Sequence, residues 1–174
     1  MNYHSITYPD VNNGLGCRVT LWLSGCPHHC PGCHNKQTWD INSGKPFSEE
    51  AKKQLFDILS LPYIQGITFS GGEPLFVHNI PKLAKLIEEI KIRFPNKDIW
   101  LYTGYTLQEI KDMMYDFEID IYIKLIFTYT DYVVEGRYVE ALRNTSLAFR
   151  GSSNQHIYKV INECCDFKYE EYQG

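Results

Sequence analysis

No apolar run in this chain is long enough to span a bilayer, and Met1-Asn2-Tyr3-His4 opens no signal peptide. These absences make the cytoplasm the expected address and leave no membrane partner to look for. No basic stripe or run is present either, and the formal net charge is -4 at pH 7. The electrostatic footprint of a nucleic-acid binder is therefore missing. The chain has no internal repeat or low-complexity tract, which excludes solenoids and disordered arrays. Nor does it offer a convincing nucleophilic triad or carboxylate pair for side-chain catalysis. Six cysteines without extracellular context read as reduced thiols, not as disulfides.

What is there is an ordinary globular composition, 44% hydrophobic and 22% charged over 174 residues. That length suits one domain with a substantial core, taken as residues 1–162. The charged segment 163–174 is expected to be a mobile tail. Residues 1–17 read as an irregular lead-in, with a turn signal at Asn12-Asn13-Gly14-Leu15-Gly16. Strands are predicted over Arg18–Ser24, Ile64–Ser70, Asp98–Thr103 and Tyr132–Glu135. Helices are expected to start at the Ser48 cap, near His78 or Asn79 around Pro81, and at Thr106-Leu107-Gln108-Glu109, a capping box. The last of these is expected to continue through Ile110, Met113, Met114 and Phe117. Residues 119–130 fit either a strand or a helix.

Alternating strands and helices predict an α/β fold with mainly parallel strands and right-handed crossovers. A partial, open β/α barrel and a doubly wound sheet both satisfy the pattern. In either, ligands sit at the carboxyl ends of the strands, so the turns after Ser24, Ser70 and Thr103 are expected to line one site.

The first of those turns carries most of the chemistry: Ser24-Gly25-Cys26-Pro27-His28-His29-Cys30-Pro31-Gly32-Cys33-His34-Asn35. Cys26, Cys30 and Cys33 stand at C-x3-C-x2-C spacing in a glycine- and proline-rich loop that can curl around a compact metal centre. No fourth cysteine completes the set; Cys17, Cys164 and Cys165 lie far off in sequence and read as plain thiols, the last two oxidation-prone. Three thiolates on a four-iron cluster leave one iron open, and an open metal position is where chemistry occurs. A zinc knuckle with His28, His29 or His34 as fourth ligand remains the alternative.

At the second turn, Gly71-Gly72-Glu73-Pro74 lets the backbone approach a ligand closely, and its carbonyls with Glu73 suit a charged ammonium group. An ordinary strand-to-helix turn is the alternative, but the motif's place after a strand in a chain with the cysteine loop favours a functional role. Thr103-Gly104-Tyr105 occupies the equivalent place on the next strand, where the capping box alone suffices as explanation. Glu135-Gly136-Arg137 reads as a solvated turn. Arg150 and Ser152-Ser153-Asn154 suit a carboxylate or ribose hydroxyls, or a polar surface loop.

The cysteine spacing together with Gly-Gly-Glu-Pro resembles the radical S-adenosylmethionine enzymes. Further matches at Arg18, Thr38-Trp39, Asn42-Ser43-Gly44, Lys97-Asp98-Ile99-Trp100, Thr103-Gly104-Tyr105 and Arg150-Gly151-Ser152-Ser153-Asn154-Gln155 narrow this. Within that superfamily the chain resembles the activating proteins of anaerobic ribonucleoside-triphosphate reductases, over roughly residues 1 to 160.

The resemblance implies an abbreviated, open β/α barrel and a [4Fe–4S] cluster held by Cys26, Cys30 and Cys33. It implies S-adenosylmethionine as cofactor, contacted by Gly32, Cys33 and His34 on the adenosyl side. Gly71, Gly72, Glu73 and Thr103 would face the methionine side. The implied reaction is reductive cleavage of that cofactor to a 5′-deoxyadenosyl radical, which takes hydrogen from a glycine of the reductase large subunit. A reduced flavodoxin-type protein would be the electron donor. Activation of another glycyl radical enzyme, of the formate-lyase type, is the alternative within the class. Close relatives commonly carry tyrosine where this chain has His34, and proline and threonine where it has Leu15 and Cys17.

Overall fold

The computed structural model describes residues 1–163 and 166–172. Cys164 and Cys165, read from the sequence as oxidation-prone thiols, lie outside the described residues.

The described residues build one eight-stranded sheet in the order β3-β1-β2-β4-β5-β6-β7-β8. Its strands are β1 (Asn2–Asp10), β2 (Arg18–Leu23), β3 (Lys45–Pro46), β4 (Gly66–Gly71), β5 (Asp98–Tyr102), β6 (Tyr132–Glu135), β7 (His156–Glu163) and β8 (Asp166–Glu171). Four helices accompany them: α1 (Glu49–Leu59), α2 (Ile80–Arg93), α3 (Leu107–Met113) and α4 (Asp120–Tyr129).

The expectation of mainly parallel strands is corrected. The four central strands, β2, β4, β5 and β6, do run parallel. The other pairings, β1 with β2 and β3, and β7 with β6 and β8, are antiparallel, so antiparallel pairings predominate. Connection length explains the split. A parallel neighbour needs a crossover of about a dozen residues or more, and α1, α2 and the α3–α4 pair supply these between the central strands. The short link 11–17 between β1 and β2 permits only the antiparallel return. The result is one mixed sheet with β3 and β8 at its ends.

Side chains alternate between the two faces of each strand. Val19, Leu21 and Leu23 of β2, Ile67 and Phe69 of β4, and Ile99 and Leu101 of β5 belong to one buried cluster. Leu55, Leu59, Leu83, Ile87, Ile90 and Ile126 from the helices belong to the same cluster. Each fully buried leucine or isoleucine contributes about 1.5–3 kcal/mol relative to exposure, which fixes the helices on this side. The opposite face carries Arg18, Thr20, Thr68, Trp100 and Tyr102. There Trp100, Val134 and Ile157 form a smaller cluster with Leu15, Phe149 and Tyr172, without any helix residue.

Arg18 is fully buried on that second face. Its guanidinium donates to Thr68 Oγ1 at 2.9 Å and to the carbonyls of Leu15 at 2.8 Å and Ile67 at 2.9 Å. It pairs with the Asp98 carboxylate at 2.5 Å and lies 5.5 Å from the centroid of the Trp100 ring.

Local signals explain the helix starts. The Ser48 side chain accepts from the Ala51 N–H, and Thr106 with Glu109 forms the full capping box. Asn79 precedes α2 but makes no side-chain cap; its amide is used elsewhere, as described below. Three sequence readings change. Residues 2–10 form β1 and are not an irregular lead-in. The third helix stops at Met113, leaving Phe117 fully exposed in the link to α4, and residues 119–130 resolve as helix. Residues 166–171, within the charged segment set apart as a tail, pair with β7 as β8. Among the described residues no helix is long and apolar enough to cross a membrane.

Candidate functional site

Because β2, β4, β5 and β6 are parallel, their carboxyl ends share one edge of the sheet. The segments that leave them, 24–35, 71–79, 103–106 and 136–155, meet there.

The cysteine loop is pinned by main-chain bonds. Gly25 N–H donates to Thr38 O at 2.7 Å, Cys26 N–H to Trp39 O at 3.0 Å, and Cys33 N–H to Cys30 O at 3.1 Å. His29 has φ +46° and stacks on Trp39 with ring centroids 4.6 Å apart. A non-glycine residue in that region is uncommon and marks a backbone held by its surroundings. Gly32 lies against the Glu140 carboxylate with φ +74°, a left-handed backbone conformation that favours glycine.

The second turn is laced onto the first. Gly72 N–H donates to Leu23 O at 2.8 Å and Glu73 N–H to Gly25 O at 2.7 Å. A Cβ on Gly72 would stand 2.5 Å from Gly25 O, so only glycine permits this approach. The Asn79 amide donates to Ser24 O at 2.9 Å and to Glu73 O at 3.2 Å, which is why it does not cap α2.

Glu73 is 1% exposed. Its Oε1 accepts from the Leu75 N–H and the Thr103 hydroxyl, each at 2.8 Å. Its Oε2 accepts from the Gly104 N–H at 2.7 Å and from His28 Nε2 at 2.8 Å. The His28 ring also meets Tyr105 edge-on, centroids 4.5 Å apart.

Cys26, Cys30 and Cys33 line one cavity of about 160 Å³ together with Gly71, Gly72, Glu73, Thr103 and Gly104. A larger neighbour of about 620 Å³ is lined by Cys33 and His34 and reaches Trp22, Ser70, Phe149 and Arg150. Cys33, Asn35, Tyr102, Tyr138 and Gln155 line both. The structure thus gathers all the sequence-predicted site residues at one edge. Cys33 belongs to both cavities, His34 to the larger, and Gly32 adjoins Cys33 in the loop.

Sequence reasoning missed several neighbours. His28 was weighed only as a zinc ligand, although its place between two cysteines put it at the site. Tyr102 gave a signal in preceding Thr103. Tyr138 and Gln155 arrive through the long loop after β6, which spacing alone does not place. Gln155 closes that loop: its side-chain oxygen accepts from the Gly151 and Ser152 N–H groups at 2.9 and 3.2 Å, and its amide donates to Gly136 O at 2.9 Å. Ser152 is fully buried and accepts from the Val139 N–H, so it is a structural element of the loop.

Burial pushes the Cys26 thiol up to about 11, and it also raises the Cys30 thiol. A bound cation reverses such a cost, because a coordinating thiol is deprotonated outright. The Asn35 N–H donates to Cys33 Sγ at 3.4 Å. Among the described residues no three His, Cys, Asp or Glu side chains converge to hold a single metal ion. The three thiols line a shared cavity, and thiolates are the usual ligands of iron–sulfur clusters. The donor set fits an iron–sulfur cluster.

Comparison with known proteins agrees with this chemistry. A family model described as a 4Fe-4S single cluster domain matches residues 12–158. The anaerobic ribonucleoside-triphosphate reductase-activating protein of Escherichia coli K12 is 41% identical over 162 residues, covering 92% of this chain and 99% of its own. Its namesake in enterobacteria phage T4 is 40% identical over 158 residues, covering 91% and 94%. That of Vibrio cholerae is 37% identical over 161 residues, covering 91% and 98%. Given nearly full-length identity of this order and a cysteine loop built as described, the chain belongs to the family of anaerobic ribonucleoside-triphosphate reductase-activating proteins, with a 4Fe-4S single cluster domain.

Proposed function

We propose that this chain is a cytoplasmic radical S-adenosylmethionine enzyme that installs the glycyl radical of an anaerobic ribonucleoside-triphosphate reductase. Cys26, Cys30 and Cys33 would hold a [4Fe–4S] cluster by three thiolates. Gly32, Cys33 and His34 would lie along the adenosyl group of S-adenosylmethionine, and Gly71, Gly72, Glu73 and Thr103 along its methionine end. A bound cluster would supply one-electron reductive cleavage of S-adenosylmethionine, the chemistry needed to remove a hydrogen atom from a glycine of the reductase.

The chain's own part is to bind, orient and exclude water. The main-chain bonds from Gly25, Cys26 and Glu73 hold the thiol loop and the Gly71-Gly72 turn in fixed register. The larger cavity beside Cys33 gives the reacting carbon and the partner's glycine a place to meet. In this reading the helix-free face of the sheet is the inside of an abbreviated, open β/α barrel. A reduced flavodoxin-type protein is the electron donor, and the large subunit of the reductase is the macromolecular substrate.

The observation that carries the proposal is that the three thiols and the two glycine turns line one cavity. The test is oxygen-free reconstitution with iron and sulfide, followed by incubation with a reductant, S-adenosylmethionine and the reductase. A brown protein that forms 5′-deoxyadenosine and a glycyl radical signal in electron paramagnetic resonance is expected, with both products lost in Cys30→Ala. A colourless protein carrying one zinc would overturn the reading. Radical formation only in a formate-lyase-type partner would change its substrate.

A further inference from the structure

A carboxylate has about four acceptor positions, and in Glu73 all four are taken by protein donors from three separate turns. Leu75 belongs to its own turn, Thr103 and Gly104 to the end of β5, and His28 to the cysteine loop. The hydrogen bond between His28 and Glu73 is almost fully buried, with side-chain exposures of 5% and 1%. Gly104 makes room for it, since a Cβ there would stand 2.4 Å from His28 Cδ2. Tyr105 closes the other side of the ring.

We propose that His28 and Glu73 are positioning residues: a buried clamp that sets the thiol loop at a fixed distance from the Gly71-Gly72 and Thr103-Gly104 turns. The Glu73 side chain has no acceptor position left for a substrate ammonium, so that group is met by main-chain carbonyls of the glycine turn. His28 acts at one remove, through Glu73. With Nε2 facing a carboxylate, that nitrogen carries the proton it donates. Removing the imidazole leaves one acceptor position of a buried carboxylate unfilled, a large penalty felt at both glycine turns. The inference rests on the cofactor reading above for its consequence, but the clamp itself is a property of the protein alone.

The experiment compares His28→Ala, His28→Gln, Glu73→Gln and the His28→Ala/Glu73→Gln double variant. In the metal-free protein, thermal unfolding is expected to be non-additive, the double variant melting no lower than the worse single one. After anaerobic reconstitution, iron content is expected to stay near wild type, because all three thiols remain. Binding of S-adenosylmethionine, read from its effect on the resonance spectrum of the reduced cluster, is expected to weaken at least tenfold in His28→Ala. Glu73→Gln should weaken it to the same extent, the double variant no further, and His28→Gln should recover most of it. Additive melting, or loss of cofactor binding in Glu73→Gln alone with His28→Ala unaffected, would overturn the clamp and return Glu73 to direct contact. If even wild type takes up no iron, the cofactor reading falls, while the unfolding cycle still decides whether the clamp exists.

Discussion

Arg137 grips Glu109 with both ends of its guanidinium, Nη1 at 3.0 Å from Oε2 and Nη2 at 2.8 Å from Oε1, while lying 5.9 Å from the Tyr105 ring centroid. Glu109 is also the closing residue of the capping box that starts α3. One carboxylate therefore joins the turn after β5 to the long loop after β6, at the rim of the thiol cavity.

The pair gives stability a defined acid limb. Its hydrogen bonds to Arg137, with those from Thr106, hold the Glu109 carboxyl at about 2, below its ordinary 4.5. A depressed carboxyl contributes stability that is complete above its unfolded value and lost as pH falls through the folded one. The window is about 4.5 down to about 2. Both side chains are roughly 40% exposed, so screening limits the pair to about 0.2–1 kcal/mol. Glu109→Gln keeps an acceptor for the cap but loses the charge. It is expected to melt a few degrees lower than wild type at pH 7 and to match it at pH 2.

Glu135 titrates with the opposite sign. Burial raises its carboxyl, partly offset by His156, and Oε2 has no hydrogen-bond partner among the described residues. A raised carboxyl favours the folded state below its ordinary value, and that advantage is lost as pH rises through the folded value. Glu135→Gln is therefore expected to be neutral or stabilising by up to about 1 kcal/mol at pH 8. The difference should vanish at pH 4, as urea unfolding at the two pH values would record.

Arg18 anchors the opposite end of the sheet. Breaking a buried charge pair by removing one partner costs about 3–5 kcal/mol, and here the loss also removes the donor to Thr68 Oγ1 and to the carbonyls of Leu15 and Ile67. Arg18→Met is expected to fall in that range, and Arg18→Lys to recover only part, because a single ammonium cannot reproduce the fork. Denaturant midpoints would measure both.

Gly72→Ala tests the lacing of the two turns. The new Cβ would meet the carbonyls of Gly25 and Thr38 at 2.5 and 3.1 Å, both main chain and unable to swing aside. The protein is expected to fold but to take up less than half the wild-type iron on reconstitution, by iron and sulfide analysis.

Much of the candidate site was legible in the sequence because local rules govern it. C-x3-C-x2-C, Gly71-Gly72-Glu73 and the Thr106 capping box are short patterns whose spacing has a direct steric or coordination meaning. The central strands were legible too, since Val19, Leu21 and Leu23 alternate cleanly with residues of the other face. What escaped depends on distant partners. Strand β1 is mostly half-exposed and polar, with only Tyr3 and Asp10 buried, so its alternation is faint and its pairing to β2 decides it. Strand β8 is charged and is held by its register with β7. Phe117 fits a helical stripe yet is fully exposed, because the chain leaves the helix before reaching it. The Glu73 clamp was invisible for the same reason: its donors come from positions 28, 75, 103 and 104.

The bonds that pin the cysteine loop to its neighbours run between main-chain atoms of Gly25, Cys26, Thr38, Trp39 and Glu73, while the Asn35 N–H contact to Cys33 Sγ stays within the loop. A loop held by main-chain bonds of this kind keeps its course whether or not a group fills the space it encloses.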